Sequence, residues 1–212
     1  ADGQFGPWVL RVPMVRELFV QVADAGSLGG LELGEVLDWT CETLNRVDRG
    51  GFFESFDEGH AVQYFYEPFL RAFDPELRKD LGVWYTPEEI VRYQVERVDA
   101  VLRSELDLPD GLADPNVVVL DPCCGTGAYL RAVLRRIAET LRDKGGDALV
   151  AHDLKKAAIE RVCGFEILPA PFVISHLQIG LELERLGAPL EDGGDPPERA
   201  GVFLTNALTG WE

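Results

Sequence analysis

Basic residues are scarce in this chain. Twenty Lys and Arg stand against 37 Asp and Glu, a formal net charge of −17 over 212 residues. Phosphate binding rests on a basic footprint, so the composition argues against a stand-alone nucleic-acid binder. Any DNA-contacting surface must be local or lie elsewhere in a larger protein. Cysteine is sparse and unpatterned. Cys41, Cys123, Cys124 and Cys163 form no C-x-x-C pair, and His60, His152 and His176 lie far from them and from each other. Zinc spacing and a disulfide framework are both absent, a cytosolic pattern with no metal implied. No apolar run approaches the ~18–20 residues that span a bilayer. The opening Ala1-Asp2-Gly3 leads into neither the basic nor the apolar region of a signal peptide. A cytoplasmic setting without a membrane partner is expected, and the missing initiator Met reads as the mark of a fragment.

What is present is ordinary for a globular protein: 46% hydrophobic and 27% charged residues. The first ~80 residues read as helices and loops. Val9, Val12, Val15, Leu18, Phe19 and Val22 recur at helical spacing; so do Leu33, Val36, Leu37, Cys41 and Leu44, and again Val62, Phe65, Tyr66, Phe69, Leu70 and Phe73. Between the second and third, Asp48 to Gly59 reads as a loop. Thr86-Pro87-Glu88-Glu89 reads as a helix start, with Thr86 as cap, Pro87 in the first helical position and Glu89 closing a capping box. The helix behind it should bury Ile90, Val91, Val95, Val98, Val101 and Leu102 and fade near Leu106.

Beyond it the pattern changes to strand, turn, helix. Val117 to Leu120 is a short β-branched run, as expected for a strand buried on both faces. Asp121-Pro122-Cys123-Cys124-Gly125-Thr126-Gly127 is the turn, with both cysteines expected to fill space, and Ala128 to Arg142 the helix. A short helix from Leu154 to Arg161, a strand from Val162 to Ile167, a helix from Pro169 to Leu186 and a strand at Val202-Phe203-Leu204 follow. Strands alternating with helices argue for a parallel, doubly wound α/β sheet.

The turn is where chemistry belongs. A strand ending in Asp121 and a Gly-Thr-Gly bend opening a helix place backbone N–H groups and a carboxylate at the sheet's carboxyl edge, where such folds bind ligands. A phosphate loop needs Gly-Lys-Ser/Thr after its second glycine, and Ala128-Tyr129 stands there instead. The dinucleotide fingerprint needs a third Gly or Ala where Leu130 sits, and its ribose acid ~20 residues on, well short of Glu166. A plain strand-to-helix turn is the alternative.

Three segments together narrow this. Gly82-Val83-Trp84-Tyr85-Thr86-Pro87, then Asp121 to Gly127, then Gly164-Phe165-Glu166-Ile167 resemble motifs X, I and II of the amino-methylating DNA methyltransferases of the gamma order. Tyr66-Glu67-Pro68-Phe69-Leu70 through Asp74-Pro75-Glu76-Leu77-Arg78-Lys79, placed ahead of the Tyr-Thr-Pro segment, makes the chain most similar to the methyltransferase segment of type ISP restriction–modification enzymes. The resemblance covers roughly residues 60–210 and implies a Rossmann-like sheet that binds S-adenosyl-L-methionine. Under it, Thr86 lies at the methionine carboxylate, where helix N–H groups are free, and Tyr85 is counted with the cofactor-binding residues, read with Trp84 as core or pocket wall rather than base-stacking. Asp121, Cys123, Gly125, Thr126 and Gly127 take the amino group and methionine chain. Glu166 holds the ribose hydroxyls, Ile167 lies on the adenine, Asn206 bonds its edge and Leu208 packs on it. As plain structure, Thr86 is a helix cap, Glu166 a strand-end carboxylate and Asn206 a turn residue.

The resemblance also implies an Asn/Asp-Pro-Pro-Tyr/Phe element after a fourth strand that pairs beside the first, and target-recognition sequences. Neither occurs here; Asp195-Pro196-Pro197 is followed by Glu198. No catalytic residue is therefore assigned. Residues 1–80 are expected to form a helical coupler domain and 81–212 the cofactor-binding part of a methyltransferase domain, stopping before the Pro-Pro element and holding about half a sheet. The implied function is the cofactor-binding part of an adenine-specific DNA methyltransferase, inactive alone, acting on double-stranded DNA through a full-length protein with restriction, helicase and target-recognition domains. The alternatives are a non-catalytic cofactor-binding or coupler module of a restriction enzyme, and a related RNA or protein methyltransferase.

Overall fold

The computed structural model describes residues 34–48, 51, 86–145, 147–191 and 197–210. The chain divides into two compact units, Ala1–Tyr85 and Thr86–Glu212. In the first, helix α1 spans Gly34–Asn45, over one of the three stretches with helical spacing. The helices expected over 9–22 and 62–73, the loop beyond residue 51, and Tyr85 lie outside the described residues.

The second unit begins with α2, Glu88–Glu105, and a 3-10 turn, Gly111–Ala113. Strands and helices then alternate: β1 Val119–Asp121, α3 Ala128–Lys144, α4 Asp147–Glu160, β2 Val162–Glu166, α5 Pro169–Arg185 and β3 Val202–Leu204. The strands pair in parallel in the order β1-β2-β3, with Val119 opposite Val162 and Glu166 opposite Leu204. Parallel neighbours need crossovers, which the helices supply. Right-handed crossovers that advance in one direction fall on one side of the sheet.

Burial along β2 follows that geometry. Val162, Gly164 and Glu166 are buried, while Cys163 and Phe165 on the other face are half-buried. Leu130, Leu134 and Ile137 of α3, Leu154 of α4 and Leu183 of α5 close over Val162 and Val202 to form the core. At Gly164 the helix layer comes so close that a Cβ would meet Leu130 Cδ1 at 2.6 Å and Cys124 Sγ at 2.9 Å. The opposite face carries Leu120, Cys163, Phe165 and Phe203, the two rings meeting edge to face at 6.2 Å. Among the described residues, the helices cover one face of the expected doubly wound sheet.

Four expectations need correction. β1 begins at Val119 rather than Val117, and Leu120 is 51% exposed rather than buried. An apolar run reports a strand; it does not report what lies on its second face. Pro87, with ψ 140, flanks α2 rather than opening it, and no side chain caps that end, so the Thr86–Glu89 box does not form. Ile90 and Val98 are about half exposed, and Asp99 lies on the buried stripe with Val91 and Val95. α4 starts at Asp147, about two turns earlier than the apolar spacing suggests.

Asp99 explains why a charge is tolerated there. Its oxygens accept from Leu112 N–H at 2.8 Å, Arg103 Nε at 2.8 Å and Arg136 Nε at 2.9 Å, tying α2 to α3 and the 3-10 turn. Burial alone would raise this carboxyl, but those donors outweigh it and hold it below its ordinary range. Arg161 locks the approach to β1 in the same way, donating to the carbonyls of Leu112, Ala113 and Val117.

Candidate functional site

Because all three strands run in parallel, their last residues reach the same edge. Asp121 ends β1, Glu166 ends β2, and Thr205-Asn206 follow β3. The turn after β1 is folded back onto β2 by two consecutive amides. Cys124 N–H donates to the Phe165 carbonyl at 2.9 Å, and Gly125 N–H donates to Glu166 Oε2 at 2.9 Å. Glu166 Oε1 accepts from Leu168 N–H at 2.8 Å, and the Glu166 carbonyl accepts from Thr205 N–H at 2.9 Å. One residue therefore touches all three strand exits. Sequence reasoning placed Glu166 at the edge but missed that its carboxylate is already bonded to the turn. Spacing alone carries no signal of that.

The two glycines of the turn differ. Gly125 has φ +55, and nothing lies within 4 Å of where a Cβ would stand. Gly127, at φ +85, opens α3, and a Cβ there would meet Ser175 Cβ at 3.2 Å. What crowds Gly127 is α5. The open side of the turn is at Gly125, while the Cys123, Cys124, Gly125 and Gly127 amides are all bonded within the protein.

The neighbouring side chains have distinct states. Asp121 is half-buried; burial lifts its carboxyl above the ordinary range, while Cys123 N–H, donating to Oδ1 at 3.1 Å, works against that. Burial, with Asp121 and Glu166 beside it, pushes the Cys124 thiol up to about 12, so it stays protonated and serves as packing. Cys123 is exposed rather than space-filling. Thr126 is half-buried.

Other expected residues stand around this edge. Ile167, next to Glu166, is 58% exposed, and Leu208 is 94% exposed. Asn206 turns its side-chain oxygen onto its own turn, accepting from Leu208 N–H at 2.9 Å and Thr209 N–H at 3.3 Å. Among the described residues, no hydrogen bond joins Thr86 to the glycine turn. The first turn of α2 carries Glu88 and Glu89 instead, with Glu88 3.2 Å from Arg135 of α3. No group of His, Cys, Asp and Glu able to hold a metal is found among the described residues. None of their helices is long and apolar enough to cross a membrane.

Comparison with known proteins agrees with this geometry. The chain is 27% identical over 124 residues to the methylase subunit of the Type I restriction enzyme EcoEI from Escherichia coli, covering 58% of this chain and 21% of that protein. It is similar to the solved DrdV–DNA complex at 25% identity and TM-score 0.55, over 72% of this chain and 13% of that one. The fold also matches a nuclease-deletion mutant of the Type ISP restriction–modification enzyme LlaGI, solved with a DNA substrate mimic. There the identity is 21% and the TM-score 0.52, over 72% of this chain and 11% of the other. The chain thus spans about a fifth of the curated relative and a smaller share of the solved enzymes. The sequence model for N-6 DNA Methylase matches residues 58–177, more than half of the chain and including the glycine turn and Glu166, so the chain belongs to the N-6 DNA methylase family.

Proposed function

We propose that residues 86–210 bind the methyl donor, S-adenosyl-L-methionine, for an adenine-specific DNA methyltransferase of a restriction–modification system. The observation that carries this reading is the convergence of Asp121, the open Gly125 turn and Glu166 at one sheet edge. The residues fit such a donor. Gly125 leaves room where a Cβ would otherwise stand, and each Glu166 oxygen accepts one N–H and retains a lone pair for a ribose hydroxyl. In this reading Asp121, Cys123, Thr126 and Gly127 serve the amino-acid end, and Thr86 its carboxylate. Exposed Ile167 and Leu208 offer apolar surface to the adenine, and Asn206 a polar edge. The donor supplies an activated methyl group; this chain's residues bind and orient it.

Calorimetric titration with S-adenosylmethionine tests the reading. Glu166→Ala should weaken binding about 10–100-fold, the range for hydrogen bonds to a charged group. Unchanged affinity would remove Glu166 from the site.

A second reading is a module that binds the donor, or docks other domains, without itself methylating. The net charge of −17 and the lack of an Asn-Pro-Pro-Tyr element favour it for this chain taken alone. The family's work on DNA then falls to the whole protein, with residues 1–80 as its helical coupler.

A further inference from the structure

A carboxylate that only waits for a ligand would stand at the strand end with its oxygens toward water. Glu166 does not. It is 8% exposed, and both oxygens accept backbone N–H groups from different connections, Gly125 in the β1–α3 turn and Leu168 in the β2–α5 connection. Gly127 is braced independently, by its N–H on the Cys124 carbonyl at 2.8 Å and by Ser175 beside it. Gly125 has open space on its side-chain side, and its carbonyl takes a long, weak contact from the Cys124 thiol at 3.9 Å. Its anchor is the carboxylate.

We propose that Glu166 is the positioning residue of the glycine turn: its carboxylate holds Gly125 and Leu168 in place before any ligand arrives, so that turn and connection are shaped together. A carboxylate suits this because it is acceptor-only, with two lone pairs on each oxygen. One lone pair on each holds the protein, and one on each remains for a hydroxyl. The same group then couples the order of the turn to occupancy of the site, since losing it loosens the turn and removes a ligand contact at once. The inference deepens the donor-site reading and rests on it for binding alone; the shape of the ligand-free turn stands without it.

Amide hydrogen exchange, followed by NMR on the ligand-free full chain, tests this. In Glu166→Gln the side chain keeps its size, but its NH2 cannot accept. Exchange at Gly125 or Leu168, whichever faces the new amide, should speed up about 10–100-fold, the equivalent of losing one charge-assisted bond. Leu134 and Ile137, deep in the core, serve as references in the same sample and should keep their rates. Ile167→Ala, the neighbouring side chain on the proposed adenine surface, should weaken S-adenosylmethionine binding without changing Gly125 exchange in the ligand-free chain. Wild-type exchange at both Gly125 and Leu168 in Glu166→Gln would overturn the proposal. So would equal acceleration at Leu134 and Ile137, or an equal effect from Ile167→Ala. A wild-type chain that fails to bind S-adenosylmethionine would sink the donor-site reading, while the exchange comparison still decides this one.

Discussion

Gly125 and Gly127 both hold a positive φ, yet a side chain would meet open space at the first and Ser175 at the second. The two glycines should therefore separate binding from stability. Gly127→Ala combines left-handed strain with a contact to Ser175 tighter than most side chains make, and should cost about 2–3 kcal/mol of stability in urea denaturation. Gly125→Ala carries the strain alone, about 1–2 kcal/mol, but fills the open space beside the turn and should lose most donor affinity in calorimetry. Wild-type affinity in Gly125→Ala would take that side of the turn out of the site. Asp99 poses a different question, since nothing about it is exposed enough to bind. Removing it as Ala takes the shared carboxylate from Arg103 and Arg136 and should cost about 3 kcal/mol, at the low end for breaking a buried pair because both arginines reach water and keep other partners. Its carboxyl is depressed in the folded chain, so its contribution is present above the ordinary value of about 3.9 and is lost as pH falls through the lower folded value. Urea melts of Asp99→Asn should lack that acid loss.

Helix α5 bridges the glycine turn and β3 by residues that an apolar pattern does not mark. Ser175 packs under Gly127, and His176 reaches the Val202 carbonyl at 3.2 Å while meeting Phe172 edge to face at 4.7 Å. Burial holds the His176 imidazole below its ordinary range, with the Val202 carbonyl partly opposing and Arg199 adding to the shift. The unfolded chain thus takes up this proton first. Stability should fall as pH drops below about 6.5 and level off beneath the folded value. Thermal melts across that range should show a shallower slope for His176→Gln than for wild type. Equal slopes would mean that this ring carries no charge penalty. The same helix marks how far the sequence is legible. Strand-turn-helix order, the parallel sheet and the place of the glycine turn follow from apolar periodicity and glycine spacing, which local sequence carries. Buried Asp99, Ser175, Gln178 and Glu182 do not, because periodicity assigns burial to apolar positions; Asp99, Gln178 and Glu182 are held by partners distant in sequence, and Ser175 bonds the Phe172 carbonyl on its own helix. Gln178 and Glu182 meet Arg131, and Glu182 also takes Arg135 through both oxygens, at 2.8 and 2.7 Å. Asn206 was legible as a polar residue at a strand exit, but its bond to its own turn depends on backbone shape.

The −17 charge bears on what the assembled chain can do by itself. A duplex is gripped by basic side chains, and a target base must be drawn out of the stack at a cost of a few kcal/mol. The arginines in the first half of α3, the helix that the glycine turn opens, are already committed, Arg131 and Arg135 to Glu182, and Arg136 to Asp99 and Glu139. The sequence's one Pro-Pro pair does not supply an amine-holding element either. Glu198, just after it, accepts from Glu191 N–H at 2.8 Å and lies 3.1 Å from Lys155 of α4, which ties that connection to the helix layer. Holding the adenine amine in line with the methyl group is a matter of positioning, which accounts for several kcal/mol of such a barrier. The expected outcome is a chain that binds S-adenosylmethionine and leaves DNA unmethylated. Incubation with the radiolabelled donor and mixed-sequence DNA at low salt checks it, low salt giving weak DNA contacts their best chance. Label that enters DNA in proportion to the amount of chain, and disappears in Asp121→Ala, would mean that these 212 residues hold a complete transfer site and that the amine is held by groups other than a Pro-Pro element.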